Sequence, residues 1–237
     1  MKILCIGDSL GMPREGCPEE DVWISLLKKK FPGSTFIGEF KRARLVKNAL
    51  ACYRQKYRKY NADIVILQLG IVDCSPRYVN TQSYIVRIIY YLFNKLGKSD
   101  LYWRIVKSRP RRPSCVYTSP SKFRNEYTSL IKEIINDGGN VIVIKIGHGG
   151  ESVLRSSMFF NSNVDRYNKI LENIVVQNIG QVCSVNPLDN VGDDDFVDGY
   201  HCNEKGMRKV YEALCQVLTT MLKDPHLPRV HSISHVK

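Results

Sequence analysis

The chain has 237 residues, of which 43% are hydrophobic and 24% are charged, and its formal net charge is +12 at pH 7. This length is sufficient for one large domain with a buried core, and the composition excludes an intrinsically disordered chain. The positive charge favours polyanionic partners such as acidic glycans, anionic lipid surfaces or nucleic acid, although a surface that serves only solubility is an equal alternative.

The N-terminal half of the chain alternates between strand and helix signals. In chain order we predict a strand at 2–6, a helix at 18–30 opened by Pro18, a strand at 35–37 followed by Gly38, a basic helix at about 42–60, a strand at 63–69 and an apolar helix at 84–96. The third strand is almost continuously apolar, which is typical of a strand buried on both faces. The segment 98–114 interrupts the alternation, because it is basic and aromatic and contains two prolines, so we interpret it as an insertion or lid.

The C-terminal half continues the same alternation. We predict a helix that begins at Pro120 and ends at about 138, a strand at 141–146, a helix around 164–174, a strand at 182–185 and a last helix whose apolar residues recur every three or four positions over 207–221. Alternating strands and helices indicate a parallel sheet covered on both faces, and five strands favour a flavodoxin-like, three-layer α/β/α fold. We therefore predict a single domain at 1–223 and a C-terminal extension at 224–237.

Three polar residues follow the ends of predicted strands, where parallel α/β sheets place their sites. Ser9 follows the first strand, and Asp198 and His201 follow the fifth. A serine hydroxyl needs a base during nucleophilic attack, imidazole titrates near neutrality, and a carboxylate can orient the imidazole. These residues therefore predict a nucleophile, a base and an orienting acid. The alternative is that Ser9 only caps a turn and that His201 only precedes a helix cap at Asn203.

The motifs Gly7-Asp8-Ser9-Leu10 and Asp198-x-x-His201 resemble the signature of the GDSL or SGNH hydrolases. Gly70-Ile71-Val72-Asp73 is similar to a degenerate form of that family's Gly-x-Asn-Asp block, and the resemblance covers about residues 2–222. It implies the SGNH hydrolase fold, with Ser9 as the nucleophile of a carboxylic ester hydrolase and His201 as its base.

The resemblance also implies an oxyanion hole made by the Ser9 amide, a glycine after the second strand and the asparagine of the third block. Gly38 is our candidate for the glycine. Val72 stands in the place of the asparagine and has no side-chain donor. Arg77 is a candidate replacement, since a guanidinium can stabilise an oxyanion or bind an acidic substrate. The alternatives for Arg77 are a solvated loop arginine or an ion pair with Asp73.

Further substrate contacts are expected from Asp8, Asp73 and His148, in addition to Arg77. Asp73 is more suited to positioning its loop than to chemistry, and His148, which lies between glycines, has the alternative of an ordinary loop histidine. The acidic run 193–195 is interpreted as a solvated loop, because no other metal-ligating residues converge on it in the sequence.

Neither the apolar runs nor the cysteine spacing of the chain indicates secretion, membrane insertion or a metal site. Only four apolar residues lie between Lys2 and Gly7, too few for a secretory signal, and no apolar run reaches the length of a membrane span. The eight cysteines have neither paired nor zinc-like spacing, which favours reduced thiols that pack as small apolar residues. We therefore expect a cytoplasmic protein without a metal or another cofactor.

The combined prediction is a serine esterase that cleaves short acyl esters, with an O-acetylated and acidic carbohydrate of surface-polysaccharide metabolism as the expected substrate. The alternatives are an O-acyltransferase with a sugar hydroxyl as acceptor, and a non-catalytic glycan-binding module, which Val72 favours. Peripheral contact with an anionic membrane through Tyr102, Trp103 and 109–112 is an alternative to a basic lid without a ligand. No specific nucleic acid is expected, and the oligomeric state is left open.

Overall fold

The computed structural model describes residues 1–80, 83–108 and 111–223. It contains a five-stranded parallel sheet with the strand order β2-β1-β3-β4-β5. The strands are β1 Lys2–Gly7, β2 Thr35–Phe40, β3 Ile64–Gln68, β4 Asn140–Ile144 and β5 Val182–Val185. This is the flavodoxin-like order, so the predicted three-layer α/β/α fold is confirmed.

Helices cover both faces of the sheet. They are α1 Trp23–Lys30, α2 Val46–Cys52, α3 Ile71–Cys74, α4 Tyr84–Lys95, α5 Ser99–Lys107, α6 Pro120–Asn136, α7 Glu151–Ser156, α8 Phe160–Gln177 and α9 Glu204–Lys223. Successive residues of a strand point to opposite faces, so Leu4 and Ile6 of β1 enter the core beneath α2, α6 and α8, while Ile3 and Cys5 enter the core beneath α1 and α9.

The second strand is longer than predicted. Gly38 lies inside β2 and pairs with Cys5 of β1, and the ladder continues to Phe40. A side chain at Gly38 would come within 3.1 Å of both Ile24 and Phe40, so the glycine permits close packing of α1 on this edge of the sheet. The expectation that Gly38 follows the end of the strand is therefore wrong, because the pairing with β1, not the glycine, decides where β2 ends.

The α4–α5 hairpin, residues 84–107, lies between the third strand and α6 in sequence. Its two helices pack chiefly against each other through an aromatic cluster, with the ring of Tyr102 at 5.3 Å from Tyr90 and 5.6 Å from Phe93. The segment predicted as an insertion or lid thus contains a regular helix, α5. Arg109, Pro110 and the predicted extension at 224–237 lie outside the described residues.

The cysteines behave as the sequence suggests. All eight lie within the described residues and none forms a disulfide bond there, and several belong to the two cores, among them Cys5, Cys74, Cys183 and Cys202. Burial raises the pKa of Cys202 to about 12, so this thiol stays protonated and packs as an apolar group. Within the described ranges, none of the helices combines the length and apolar character that crossing a membrane requires.

Candidate active site

Ser9 lies at the carboxyl edge of the sheet, directly after β1. The strand ends at Gly7, and the chain then makes a single tight helical turn over 9–11. The side chain of Asp8 fixes this turn by accepting a hydrogen bond of 2.9 Å from the Leu10 amide. Since β1 adjoins β3, the serine is located where the strand order reverses, which is the usual position of a site in such sheets.

The structure brings Ser9, His201 and Asp198 into one hydrogen-bonded chain. Ser9 Oγ lies 3.0 Å from His201 Nε2, and His201 Nδ1 lies 2.7 Å from Asp198 Oδ2. The other carboxylate oxygen of Asp198 accepts a hydrogen bond of 3.0 Å from the His201 amide. The carboxylate therefore fixes the ring so that Nδ1 carries the proton and Nε2 accepts one from serine.

The loop that carries Asp198 and His201 is closed by backbone pairing. Phe196 and Cys202 form an antiparallel bridge, and Gly199 lies at the tip of the loop with a φ of +89° that favours glycine. The Gly199 carbonyl accepts a hydrogen bond of 2.7 Å from the Gly150 amide at the start of α7. These contacts connect the loop to α7, so the histidine is held in place by the fold and not only by its own carboxylate.

Burial and nearby charges tune the two ionisable groups. Burial lowers the pKa of His201 below its usual value, and the guanidinium groups of Arg14 and Arg42 add to this effect, while Asp198 opposes it. Burial raises the pKa of Asp198, but the hydrogen bonds from the His201 side chain and amide outweigh it, so the net shift is downward. At neutral pH the site therefore holds a neutral imidazole beside a carboxylate, which is the state that general-base catalysis needs.

Two cavities border Ser9. One, of about 290 Å³, is lined by Met12, Arg14 and Arg42 together with Ser9, Asp198 and His201. The other, of about 200 Å³, is lined by Ala43 after β2, Val72 after β3 and Tyr200 after β5. Arg77 and Arg111 also line it, from the stem of the hairpin, where Arg77 and Arg112 form an antiparallel bridge. A substrate bound across the serine would thus have room for a small group on each side.

The place expected for an oxyanion hole lies in the second cavity. Ala43 occupies the first loop after β2 and has a φ of +54°, a left-handed conformation that is uncommon for a residue other than glycine. Its position and conformation suit the glycine that the family resemblance implies, whereas Gly38 lies within β2. Val72 also lines this cavity and is only 7% exposed. The side chain at the third-block position is thus apolar and close to the serine.

Arg77 and Arg111 face the same cavity from the stem of the hairpin. The Arg77 guanidinium lies 4.4 Å from the centre of the Tyr117 ring, and that of Arg111 lies 4.7 Å from the centre of the Tyr78 ring. Among the described residues, neither forms an ion pair, and the Nε atoms of both are buried without a hydrogen-bond partner. Two stacked cations thus line the cavity beside the serine without a described counter-ion.

Two acidic residues expected at the substrate are instead buried. Asp8 and Asp73 are both 0% exposed, and burial raises the pKa of each to about 7. Asp73 accepts hydrogen bonds from Thr118 Oγ1 at 2.5 Å and from the Val46 amide at 3.2 Å. This corrects the expectation that they contact substrate: Asp73 connects three segments beneath the site, and Asp8 fixes the turn of the serine.

His148 does not join the site in this structure. Its Nε2 lies 2.6 Å from Asp165 Oδ1 on α8, and the ring is not among the groups that line either cavity. In the acidic run, Asp193 and Asp194 are exposed as predicted, whereas Asp195 is buried and pairs with Lys209 at 2.8 Å. Within the described residues, no cluster of potential metal ligands is present.

Arg14 is a site residue that sequence reasoning missed. Its guanidinium donates to the carbonyl oxygen of Ser9 and lines the larger cavity beside His201. Burial lowers the pKa of Arg14 from its usual value, with Asp198 opposing the shift. The sequence offers no signal for this contact beyond the short spacing from the serine, because the contact depends on the fold of the loop after the serine turn, in which Arg14 pairs with Cys17.

Comparisons with known proteins are informative at the level of the fold. No protein-family profile and no curated protein sequence matches this chain. A lipase/acylhydrolase from Enterococcus faecalis superposes with a TM-score of 0.63 at 14% identity, covering 97% of this chain and 99% of the other. An acetylxylan esterase from Geobacillus stearothermophilus has a TM-score of 0.61 at 12% identity, covering 91% and 92%.

A GDSL-like lipase from Bacteroides thetaiotaomicron is similar over 92% of this chain and 88% of its own, with a TM-score of 0.59 and 11% identity. The strand order, the turn that carries the serine and these structural neighbours agree with the resemblance that the sequence motifs suggested. The chain has the fold of the GDSL/SGNH hydrolases.

Proposed function

We propose that this protein is a serine esterase that cleaves short acyl esters through an acyl-Ser9 intermediate. The observation that carries the proposal is the hydrogen-bonded chain from Ser9 through His201 to Asp198. Its distances are those of a nucleophile within reach of its base and of a base held by an orienting acid. The alternative from sequence, a turn-capping serine and an unrelated loop histidine, does not explain why two side chains 192 positions apart in sequence form this hydrogen bond.

The reaction proceeds in two steps on this geometry. In the first, His201 Nε2 takes the Ser9 proton as Oγ attacks the ester carbonyl carbon, and Asp198 stabilises the imidazolium. The imidazolium then gives its proton to the alcohol oxygen, the ester C–O bond breaks, and the alcohol leaves. In the second step, His201 takes a proton from water as the water attacks the acyl-serine, and the returned proton restores Ser9 as the acid departs.

The proposed oxyanion donors are the amides of Ser9 and Ala43. Ala43 replaces Gly38 in this assignment, because it follows β2 and lines the cavity next to the serine. Val72 supplies no third side-chain donor. Loss of one oxyanion donor typically lowers turnover by about 10²–10³-fold, so the proposed enzyme works with an incomplete hole unless Arg77 supplies the missing hydrogen bond.

The proposed substrate is an O-acetyl ester of an acidic carbohydrate. Cavities of about 200 and 290 Å³ on either side of the serine suit a short acyl group and a sugar better than a long acyl chain. Arg77 and Arg111, without a described counter-ion, suit a carboxylate on that sugar. The acetylxylan esterase with a similar fold supports a carbohydrate ester as the class of substrate.

The test is to incubate the protein with p-nitrophenyl acetate, acetylated polygalacturonate and acetylated xylan. We expect release of acetate and, after rapid acid quenching, an acetyl group on the peptide that contains Ser9, detected by mass spectrometry. Cleavage of long-chain lipid esters or peptide esters without any turnover of the acetylated glycans would contradict the proposed substrate, while an acyl adduct on another residue would contradict the mechanism.

Removal of either cavity arginine is expected to change substrate preference. Arg77→Ala and Arg111→Ala should each lower the ratio of kcat/KM for acetylated polygalacturonate to that for acetylated xylan by about 10- to 100-fold, since hydrogen bonds to charged groups contribute roughly 1.5–3 kcal/mol. The matched control is Arg124→Ala on the exposed face of α6. An equal loss with both polymers, confined to kcat, would instead identify an oxyanion donor.

A further inference from the structure

The α4–α5 hairpin carries an apolar stripe that faces no other described part of the chain. Helix α4 has no buried residue, although most of its side chains are apolar. The stripe, spaced by one, three or four positions, consists of Ile85, Ile88, Ile89, Leu92 and Leu96. These side chains are between 40% and 70% exposed. Such spacing places them together over about 100° of the helix surface, the width of a stripe that normally enters a core.

This stripe is separate from the face that joins the two helices. Tyr90 and Phe93 contact Tyr102, which is buried, and Val106 of α5 is also buried. The hairpin thus has its own interior, and the apolar stripe lies outside it. Leu101 and Ile105 on α5 are also at least 40% exposed. Exposed apolar surface of this extent on a folded domain marks an interaction site.

The hairpin that carries the stripe is also basic and aromatic. Residues 84–108 contain five basic side chains and one acidic one, Asp100. The basic residues are Arg87, Lys95, Lys98, Arg104 and Lys107. Tyr84 and Tyr91 are 76% and 63% exposed. Apolar side chains that insert among lipid tails, tyrosines at headgroup level and cations on the flanks are the composition of a helix that lies on an anionic bilayer.

We propose that the α4–α5 hairpin docks on an anionic lipid surface and lies in its plane. The 12 residues of α4 extend about 18 Å, which is short of the roughly 30 Å of a hydrocarbon core. A second copy of the chain fits this surface less well, because a symmetric contact would bring together two hairpins that both carry a net positive charge. An anionic lipid surface suits both the apolar stripe and the net positive charge of the hairpin.

Docking would place the site at the lipid surface. The hairpin leaves the domain at a stem where Arg77 and Arg112 form an antiparallel bridge, and Arg77 and Arg111 line the cavity beside Ser9. A membrane-bound hairpin therefore brings this cavity next to the headgroups. If the proposed esterase function holds, the ester would be one that is presented at a membrane surface.

The experiment is sedimentation of the full chain with vesicles. One set contains about three parts phosphatidylcholine to one part phosphatidylglycerol, and the other contains phosphatidylcholine only. We expect binding to the anionic vesicles that weakens as salt rises, because surface charges are screened. Ile85→Ser with Leu92→Ser should lower the partition coefficient at least about tenfold, and Lys95→Glu with Lys107→Glu should lower it by about as much or more.

The matched control is Val176→Ser with Ile179→Ser, which changes two side chains that are 64% and 56% exposed at the end of α8. This variant should bind vesicles as the unchanged chain does. Absence of binding to anionic vesicles at low salt would overturn the proposal. A dimer of the unaltered chain that is lost in the Ile85→Ser, Leu92→Ser variant would also overturn it. Turnover of p-nitrophenyl acetate, measured in parallel, separates failure of this proposal from failure of the esterase proposal.

Discussion

Replacing Ser9 with alanine is expected to lower kcat for acetyl-ester hydrolysis by at least about 10⁴-fold. The change removes the oxygen that attacks the ester and leaves the rest of the site in place, because Ser9 Oγ bonds only to His201 among the described residues. The measurement is kcat with p-nitrophenyl acetate, with thermal unfolding as the control for folding. A variant that retained turnover within tenfold would show that the serine is not the nucleophile.

His201→Ala should lower kcat by a similar factor, and the double variant should be no worse than either single one. The serine and histidine act as a unit, so removal of either abolishes the same step. A double variant that lost much more than the single ones would mean that the two residues contribute independently. If the unaltered chain bound glycan but had no hydrolytic activity, and both variants bound glycan equally well, the binding module would be favoured instead.

The same site predicts the direction of the pH dependence. The base acts when its imidazole is neutral, and burial with the nearby Arg14 and Arg42 lowers the pKa of His201. Lowering this pKa keeps the imidazole neutral at more acidic pH, so kcat/KM should rise with pH to a plateau that is already reached at neutrality, with a midpoint below the usual histidine value of about 6.5. A midpoint above that value would contradict the assigned base.

Much of this fold can be predicted from sequence because its signals are local. Continuous apolar runs indicate the buried strands, and three-four periodicity indicates α9, whose apolar residues form one side of the core. The end of β2 is different, because it depends on pairing with β1 across the chain. A glycine that ends a strand and one that permits close packing, such as Gly38, cannot be distinguished in the sequence. The register of β2 against β1 separates the two.

The site shows the same division between local and non-local information. Ser9, Asp198 and His201 occur in motifs whose residue types themselves indicate the chemistry of the site. Arg14 and Ala43 have no motif, because the contact of Arg14 with the serine carbonyl and the left-handed backbone at Ala43 are properties of folded loops. The burial of Asp8 likewise depends on neighbours that are distant in the sequence. Residue type therefore predicts chemistry here, and only the packing separates the groups that contact substrate from those that support the site.

Replacing Val72 with asparagine is expected to raise kcat for acetyl esters by about 10- to 100-fold, somewhat less than the 10²–10³-fold that one oxyanion donor typically contributes. Val72 lines the cavity beside the serine, at the position where the family resemblance implies an asparagine donor. The new amide should lower the melting temperature, because a largely buried polar group without a full set of partners costs about 1–3 kcal/mol. The measurement is kcat, with thermal unfolding alongside.

Val72→Ala is the matched control, since it opens the cavity without adding a donor. A gain with asparagine and none with alanine would show that the oxyanion hole of the unaltered chain is incomplete. Equal gains in both variants would mean that space, not hydrogen bonding, limits turnover. If asparagine gives no gain while Arg77→Ala lowers kcat equally for neutral and acidic esters, the guanidinium already serves as the third donor. The side chain at position 72 is then apolar because the stem of the hairpin has taken over its role.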